Sequence, residues 1–337
     1  MNTGRATPLL EVHDLRVHYP LPRPVLMPWA RAEVVRAVDG VSLQLDAGET
    51  LGVVGESGCG KSTLARALLG LPPAGARQTI RGEVRWRGEP LPVGNMQGAA
   101  VRALRREAQM VFQDPLASLN PRMTVHDIIA EPLRTHRPAL DAAERGRLVA
   151  AMMERVGLAP RLARRYPHEF SGGQCQRIGI ARALVLGPQW LVCDEPVSAL
   201  DVSVQAQIIN LLMELQRESK VAMLFIAHDL AVVRQVSQRV MVMYLGKVVE
   251  IADRDALYAT ARHPYTRALL SAIAVPDPAR ERHKKIDLLP GDLPSPLNPP
   301  SGCAFRTRCP KATDRCAAEA PALRDMGASH QVACHFA

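Results

Sequence analysis

The segment from Gly55 to Ser62 constrains the fold of this chain more than any other part of its sequence. It fits the pattern G-x-x-x-x-G-K-[ST], follows the apolar run Leu51–Val54 and precedes the helical periodicity of Lys61–Leu69. A strand, a glycine-rich loop and a helix in this order let backbone N–H groups surround phosphate oxygens at the positive end of the helix. We therefore expect a nucleotide to contact Gly55, Glu56, Ser57, Gly58, Cys59, Gly60, Lys61, Ser62 and Thr63.

A pair of acids after a second apolar strand completes the chemistry that such a loop needs. Lys61 should reach the β- and γ-phosphates, and the Ser62 hydroxyl should bind Mg²⁺. Leu191–Cys193 leads into Asp194 and Glu195. We predict that Asp194 holds the Mg²⁺ shell and that Glu195 polarises the attacking water. The alternative is that the two acids only cap the next helix.

The hydrophobic pattern predicts an α/β fold with two kinds of sheet. A helical pattern dominates from Val125 to Ala183, and His228 follows a strand candidate. A lone histidine is usually structural, but at a strand end it is predicted to contact the γ-phosphate and the water. Strands alternating with helices indicate a mainly parallel sheet, and the early hairpins indicate an antiparallel layer. The strand candidates are Leu9–Pro20, Val38–Leu45, the hairpin Gly82–Pro90, Trp190–Cys193, Met223–Ala227, Val240–Met243 and Lys247–Ile251.

Composition restricts the class of protein. The net charge is +9, but only 4% of the residues are aromatic, so a base-stacking nucleic-acid surface is not indicated. The basic clusters are expected to be solvated helix faces rather than membrane or nucleic-acid contacts. Neither a membrane-spanning stretch nor a secretory signal is visible, so we expect a cytoplasmic chain that reaches a membrane only through partners.

The composition changes near His263. The proline-rich segments Leu21–Ala32 and Pro276–Pro300 predict a surface insertion and an extended linker, respectively. We expect a nucleotide-binding domain over residues 1–262, with a helical subdomain over about 114–183, and a C-terminal extension over residues 263–337.

These motifs together resemble an ABC-type ATPase. The match continues through Gln113 in Val111–Asp114, the signature Ser171-Gly172-Gly173-Gln174, and the Ser198–Asp201 loop. The resemblance implies a RecA-like core sheet, an antiparallel β layer and a helical subdomain. It also implies that two such domains close head to tail on two ATP molecules.

In that family the signature binds the γ-phosphate held by the other subunit. The resemblance places Ser171, Gly172, Gly173 and Gln174 in this role, adds Asp201 to the nucleotide contacts, and adds Gln113 to the catalytic and Mg²⁺-binding groups. It also implies an early-strand aromatic that stacks on adenine. Tyr19 is the candidate, with Trp29 as a rival and core packing of Tyr19 as the alternative.

Longer strings resemble the ATP-binding subunits of bacterial oligopeptide and dipeptide importers, and are most similar to the F-type oligopeptide subunit. They include Ser118–Arg122, Cys193–Asp201, His263–Thr266 and Pro294–Pro300. The resemblance implies a second homologous ATP-binding subunit in a heterodimer, two transmembrane permease subunits and an extracytoplasmic peptide-binding protein. It places the chain at the cytoplasmic face of the inner membrane. It also places the residues after Gln113 against a permease coupling helix.

Four cysteines concentrate in the C-terminal tail. Their wide spacing lacks the close pairs usual for zinc, and favours a [4Fe–4S] cluster, which related importers are thought to carry. Zn²⁺, unligated thiols or a disulfide remain alternatives, and His330 or His335 could substitute as ligands. The predicted cluster ligands are Cys303, Cys309, Cys316 and Cys334.

Two functional alternatives remain at this point. The first is an importer ATPase for another cargo, such as nickel or glutathione. The second is a soluble ABC ATPase in translation or DNA repair. The single domain and the absence of a heptad insertion in the sequence count against the second.

Overall fold

The computed structural model describes residues 7–21, 33–73, 75–94, 98–274, 277–284, 287–327 and 329–337. Trp29 and nearly all of the predicted insertion lie outside these residues. The strands are β1 (Leu10–Pro20), β2 (Val34–Leu45), β3 (Thr50–Val54), β4 (Thr79–Trp86), β5 (Glu89–Leu91), β6 (Ala108–Val111), β7 (Trp190–Asp194), β8 (Ala222–Ile226), β9 (Arg239–Tyr244), β10 (Lys247–Asp253), β11 (Arg324–Asp325) and β12 (Gln331–Val332).

The helices are α1 (Lys61–Leu68), α2 (Ala99–Glu107), α3 (Pro115–Ser118), α4 (Val125–His136), α5 (Ala142–Arg155), α6 (Gly172–Leu184), α7 (Val202–Ser219), α8 (Leu230–Val236), α9 (Arg254–Thr260), α10 (Pro264–Ser271), α11 (Pro278–His283) and α12 (Asp314–Ala318). Among the described residues, no helix combines the length and apolar character needed to cross a bilayer.

The chain divides into two compact units. The first contains residues 1–46, 51–96 and 227–337, and the second contains residues 47–50 and 97–226. The second unit is larger than the predicted helical subdomain because it also contains β6, β7 and β8. The predicted extension from residue 263 lies in the first unit with β9 and β10, and its boundary stays a prediction.

The first unit contains an antiparallel sheet in the order β2-β1-β4-β5. Its inward face is apolar because β1 buries Leu10, Val12, Leu15 and Val17 at 1% exposure or less. The alternation shifts at Asp14, where the backbone has a φ of 48° and the register with β4 slips. The predicted hairpin is confirmed, with Arg87 and the following glycine in the left-handed region that a tight turn requires.

The same unit contains the strand that leads into the glycine-rich loop. β3 pairs in parallel with β9, which pairs in antiparallel with β10, and β12 extends this group from the tail. The second unit holds a parallel set in which β7 lies between β6 and β8. β3, β7 and β8 are buried along their whole lengths, as their continuous apolar sequences predict for covered parallel strands.

A buried carboxylate joins the tail to β10. Glu250 is fully buried and accepts hydrogen bonds from the backbone N–H groups of Arg262 (2.7 Å) and His263 (3.1 Å). His330, 3% exposed, lies with its Nε2 2.7 Å from the Glu250 Oε1. Because a buried carboxylate is costly without partners, this contact ties the last residues of the chain to the sheet.

We predict that His330→Ala lowers the free energy of unfolding by about 3 kcal/mol, since it leaves Glu250 buried with one partner fewer. Chemical denaturation measures the change. His335→Ala is the matched control, because His335 is a more exposed tail histidine whose imidazole lies 3.0 Å from the Glu319 backbone carbonyl and not against a buried carboxylate. Equal losses in the two variants would show that Glu250 does not depend on His330.

Candidate functional site

The glycine-rich loop forms at the end of β3, as predicted. Gly60 begins the turn into α1 with a φ of 104°, and a Cβ there would lie 2.0 Å from the Ala37 carbonyl oxygen. Only glycine satisfies both constraints. The loop is therefore packed directly against a backbone carbonyl of β2.

Lys61 points back into this loop. Its ammonium group donates to the carbonyl oxygens of Gly55 (2.8 Å) and Glu56 (3.0 Å), and the residue is only 4% exposed. These two carbonyls hold the Lys61 ammonium inside the loop, where it can contact a bound phosphate. Cys59 is buried beside it, and burial raises the pKa of the Cys59 thiol, which keeps it protonated.

Two further predicted residues belong to the same unit. Burial raises the pKa of the Tyr19 phenol, against the opposing effects of its hydrogen bond to Thr63 and the charge of Arg66. Tyr19 therefore lies against the first turn of α1. His228 is exposed. The preceding residue, Ala227, donates its N–H to the Val53 carbonyl at 3.2 Å, so the backbone of His228 lies close to the end of β3.

The acidic residues are placed by β7 in the second unit. Asp194 ends this strand at 1% exposure. Glu195 follows with a φ of 45°, and its N–H donates to the Ile226 carbonyl at 3.0 Å. The Gln113 side-chain amide donates to Glu195 Oε2 at 2.9 Å. The structure thus brings together Glu195, predicted to polarise the attacking water, and Gln113, predicted to be a catalytic and Mg²⁺-binding residue.

The signature forms the start of α6. Ser171 is its N-cap: the Ser171 hydroxyl accepts from the Gln174 N–H at 3.4 Å, and the Gln174 side chain accepts from the Ser171 N–H at 3.0 Å. A Cβ at Gly173 would lie 2.5 Å from Val204, so the glycine permits close packing on α7. Asp201 is exposed and precedes α7 without capping it through its side chain.

The donor groups of the three predicted ligands suit Mg²⁺. Magnesium binds oxygen ligands, takes one or two from protein and fills the rest with water and phosphate. Asp194 supplies a buried carboxylate, Ser62 a hydroxyl on the first turn of α1 and Gln113 an amide oxygen. These three side chains have the donor chemistry required.

The tail cysteines do not form a site for a single metal ion. Among the described residues, no group of three or more His, Cys, Asp or Glu side chains could hold one, so neither the predicted iron–sulfur cluster nor the zinc alternative finds support there. No disulfide is present, since all seven cysteines are thiols. The Cys303 N–H donates to the Cys316 carbonyl at 2.8 Å, which brings these two cysteines together, and burial raises the pKa of the Cys303 thiol.

Sequence reasoning missed three residues that contact predicted ones. The Tyr265 hydroxyl accepts from the Glu56 N–H at 2.8 Å, and the Arg308 guanidinium donates to the Glu56 carboxylate. In the second unit, Arg182 lies 5.7 Å from the centre of the Phe112 ring, next to Gln113. Only Tyr265 had a sequence signal, as part of His263–Thr266, and that string indicated a family rather than a role.

Comparison with known proteins identifies the class first. The ABC transporter family model matches residues 38–198, and the solved dimeric ATP-binding cassette MJ0796, bound to ADP and Pi, aligns with a TM-score of 0.62 at 26% identity, covering 73% of this chain and 98% of that one. The cassette cbiO1 from Clostridium perfringens aligns with a TM-score of 0.61 at 25% identity, covering 75% and 92%. The chain is an ABC-type ATPase, and the predicted fold class is confirmed.

Matches that extend beyond the ATP-binding domain identify the family within this class. The oligopeptide/dipeptide transporter C-terminal region matches residues 249–316. The oligopeptide transport ATP-binding protein OppF of Salmonella typhimurium is 57% identical over 326 residues, which is 97% of this chain and 95% of that protein. The di/tripeptide transport protein DppF of Pseudomonas aeruginosa is 50% identical over 98% of both chains. This chain belongs to the family of peptide-transport ATP-binding proteins, as its motifs predicted.

If Tyr19 stacks on adenine, Tyr19→Ala should weaken ATP binding about tenfold, the typical loss for one base–aromatic stack. Tyr19→Phe retains the ring and should bind ATP within about twofold of the wild type. Titration with a fluorescent ATP analogue measures both. Equal affinities for Tyr19→Ala and the wild type would leave Tyr19 as a packing residue.

Proposed function

We propose that this chain is the ATP-hydrolysing subunit that powers peptide import through an ABC transporter complex. The observation that carries the proposal is its similarity over nearly the whole length to peptide-transport ATP-binding proteins, including the C-terminal region. The relatives quoted above are named for oligopeptide or di/tripeptide transport, which favours peptide cargo over nickel or glutathione. The same similarity counts against a soluble ABC ATPase of translation or repair.

In the proposed mechanism, the loop from Gly55 to Ser62 holds the phosphates of ATP and Lys61 neutralises their charge. Mg²⁺ bound with the nucleotide would supply further charge neutralisation. Glu195 accepts the proton of the attacking water, Gln113 orients the Glu195 carboxylate through the observed hydrogen bond, and His228 contacts the γ-phosphate. Because these residues are held in place before the reaction, they can stabilise the charge that develops in the transition state without first having to reorganise.

The proposed assembly contains a second homologous ATP-binding subunit, two permease subunits and an extracytoplasmic peptide-binding protein. Ser171–Gln174 would complete the partner's ATP site, since Gly172 and Gly173 present backbone donors at a helix N-terminus to an anion. The permeases would hold the chain at the cytoplasmic face of the inner membrane. Phe112, which contacts the Arg182 guanidinium, would lie near this interface, because it precedes the segment after Gln113 that is proposed to meet their coupling helix.

Glu195→Gln tests the catalytic assignment. We expect ATP turnover to fall by at least about 100-fold, because a general base contributes about 10²–10⁴ in rate, while ATP binding and dimer closure persist. Purification from membranes with the permeases, followed by ATPase assay and size analysis, measures both properties. Glu218→Gln, an exposed glutamate in the same unit, is the control and should keep full turnover. Recovery of ribosomes or DNA instead of permeases would contradict the proposed function.

We further propose that Cys303, Cys309, Cys316 and Cys334 bind an iron–sulfur cluster, which holds ligand sulfurs farther apart than a single ion does. Supporting it are the backbone contact between Cys303 and Cys316 and the free thiol state of all four tail cysteines. Such a cluster would be structural, linking a tail with little regular secondary structure of its own.

Anaerobically purified protein should show a broad visible absorbance band and about four iron atoms per chain, the content of a [4Fe–4S] cluster. Cys309→Ser should lose both signals, whereas Cys175→Ala removes a buried thiol outside the tail and should retain them. Iron-free wild-type protein prepared in this way would refute the cluster.

A further inference from the structure

The glycine-rich loop carries a negative charge where it is built to bind phosphate. Glu56 is its second residue, and its carboxylate is 28% exposed. An uncompensated carboxylate beside a triphosphate site would repel the ligand, and the repulsion is strong where water is partly excluded. The chain must therefore neutralise Glu56 if ATP is to bind tightly.

The neutralising charge comes from the C-terminal tail. Arg308 Nη1 donates to both carboxylate oxygens of Glu56, at 3.0 and 2.8 Å, across 252 residues of sequence. The Arg308 side chain is only 9% exposed, and its Nε donates to the Pro290 carbonyl at 3.3 Å. A buried guanidinium held at two points is a fixed partner rather than a mobile surface charge.

The Glu56 backbone is held from the tail as well. Its N–H donates to the Tyr265 hydroxyl at 2.8 Å, and Tyr265 is fully buried. Tyr265 and Phe305 pack at 5.5 Å between ring centroids, so both contacts to Glu56 arise from one packed cluster. His263, buried with its pKa lowered to about 4, stays neutral and accepts the Tyr265 N–H at the start of α10.

From these contacts we infer that Arg308 is a positioning residue for ATP binding: it neutralises and holds Glu56, so that the C-terminal extension controls the affinity of the phosphate-binding loop. The inference rests on the proposed binding of ATP at Gly55–Ser62. Arg308 itself touches no reacting atom. Its effect passes through Glu56, which makes the two residues a functional pair.

The test is a double-mutant cycle in the full-length chain. Arg308→Gln should raise the KM and Kd for ATP about tenfold, with a much smaller change in kcat, because it leaves the Glu56 charge uncompensated. Glu56→Gln alone removes the repelling carboxylate and is the second single variant of the cycle. On the Glu56→Gln background, Arg308→Gln should change the Kd for ATP by no more than about threefold, because the coupling belongs to the pair.

If Arg308 only stabilised the fold of the tail, Glu56→Gln in the loop would not restore the ATP affinity lost in Arg308→Gln. Arg306→Gln is the matched control, because Arg306 lies two residues away and its guanidinium donates to Ser301 within the tail and not to the loop. It should leave the affinity unchanged.

Unchanged affinity in Arg308→Gln would overturn the inference, and so would a loss that Glu56→Gln does not rescue. A fluorescent ATP analogue gives Kd without turnover. Wild-type protein that binds ATP without hydrolysing it would contradict the proposed function alone, whereas wild-type protein that does not bind ATP would contradict both.

Discussion

The close packing of the glycine-rich loop on β2 is the constraint on which the first unit depends. A side chain at Gly60 would lie 2.0 Å from the Ala37 carbonyl oxygen, so loop and strand meet without room for a Cβ. This contact fixes where α1 begins. The buried Lys61 ammonium, next along the chain, donates to a carbonyl inside the loop. The position of Tyr19 against Thr63 follows, because β1 pairs with β2 and crosses the same helix.

The tail adds a second layer of support to that loop. Glu250 and His330 anchor the last residues to β10, while Tyr265 and Arg308 reach Glu56. A tail with few regular elements of its own gains order from these buried polar contacts. The extension is therefore integrated with the phosphate-binding loop, although its sequence resembles an appendage.

The sequence predicted the strands and motifs well because their signals are local. β7 and β10 were located by apolar runs, and the loop by glycine spacing. β2 begins at Val34 rather than Val38, because pairing with β1 orders residues that carry no strong alternation. Arg308 could not be predicted, since it binds Glu56 across 252 residues and nothing local distinguishes it from the neighbouring Arg306. The zinc alternative in the tail finds no support among the described residues, because cysteine spacing does not determine how closely the thiols approach.

The signature shows how one residue can support its own helix and still serve a second chain. The Ser171 hydroxyl accepts the Gln174 N–H, which uses a lone pair and leaves the hydroxyl hydrogen available to donate. The first N–H groups of α6 have no partner within the helix, because every helix leaves such donors at its N-terminus. Capping and anion binding therefore do not compete at Ser171. This supports the proposal that the signature binds a phosphate held by another subunit, since the cap keeps the donors in place before that subunit arrives.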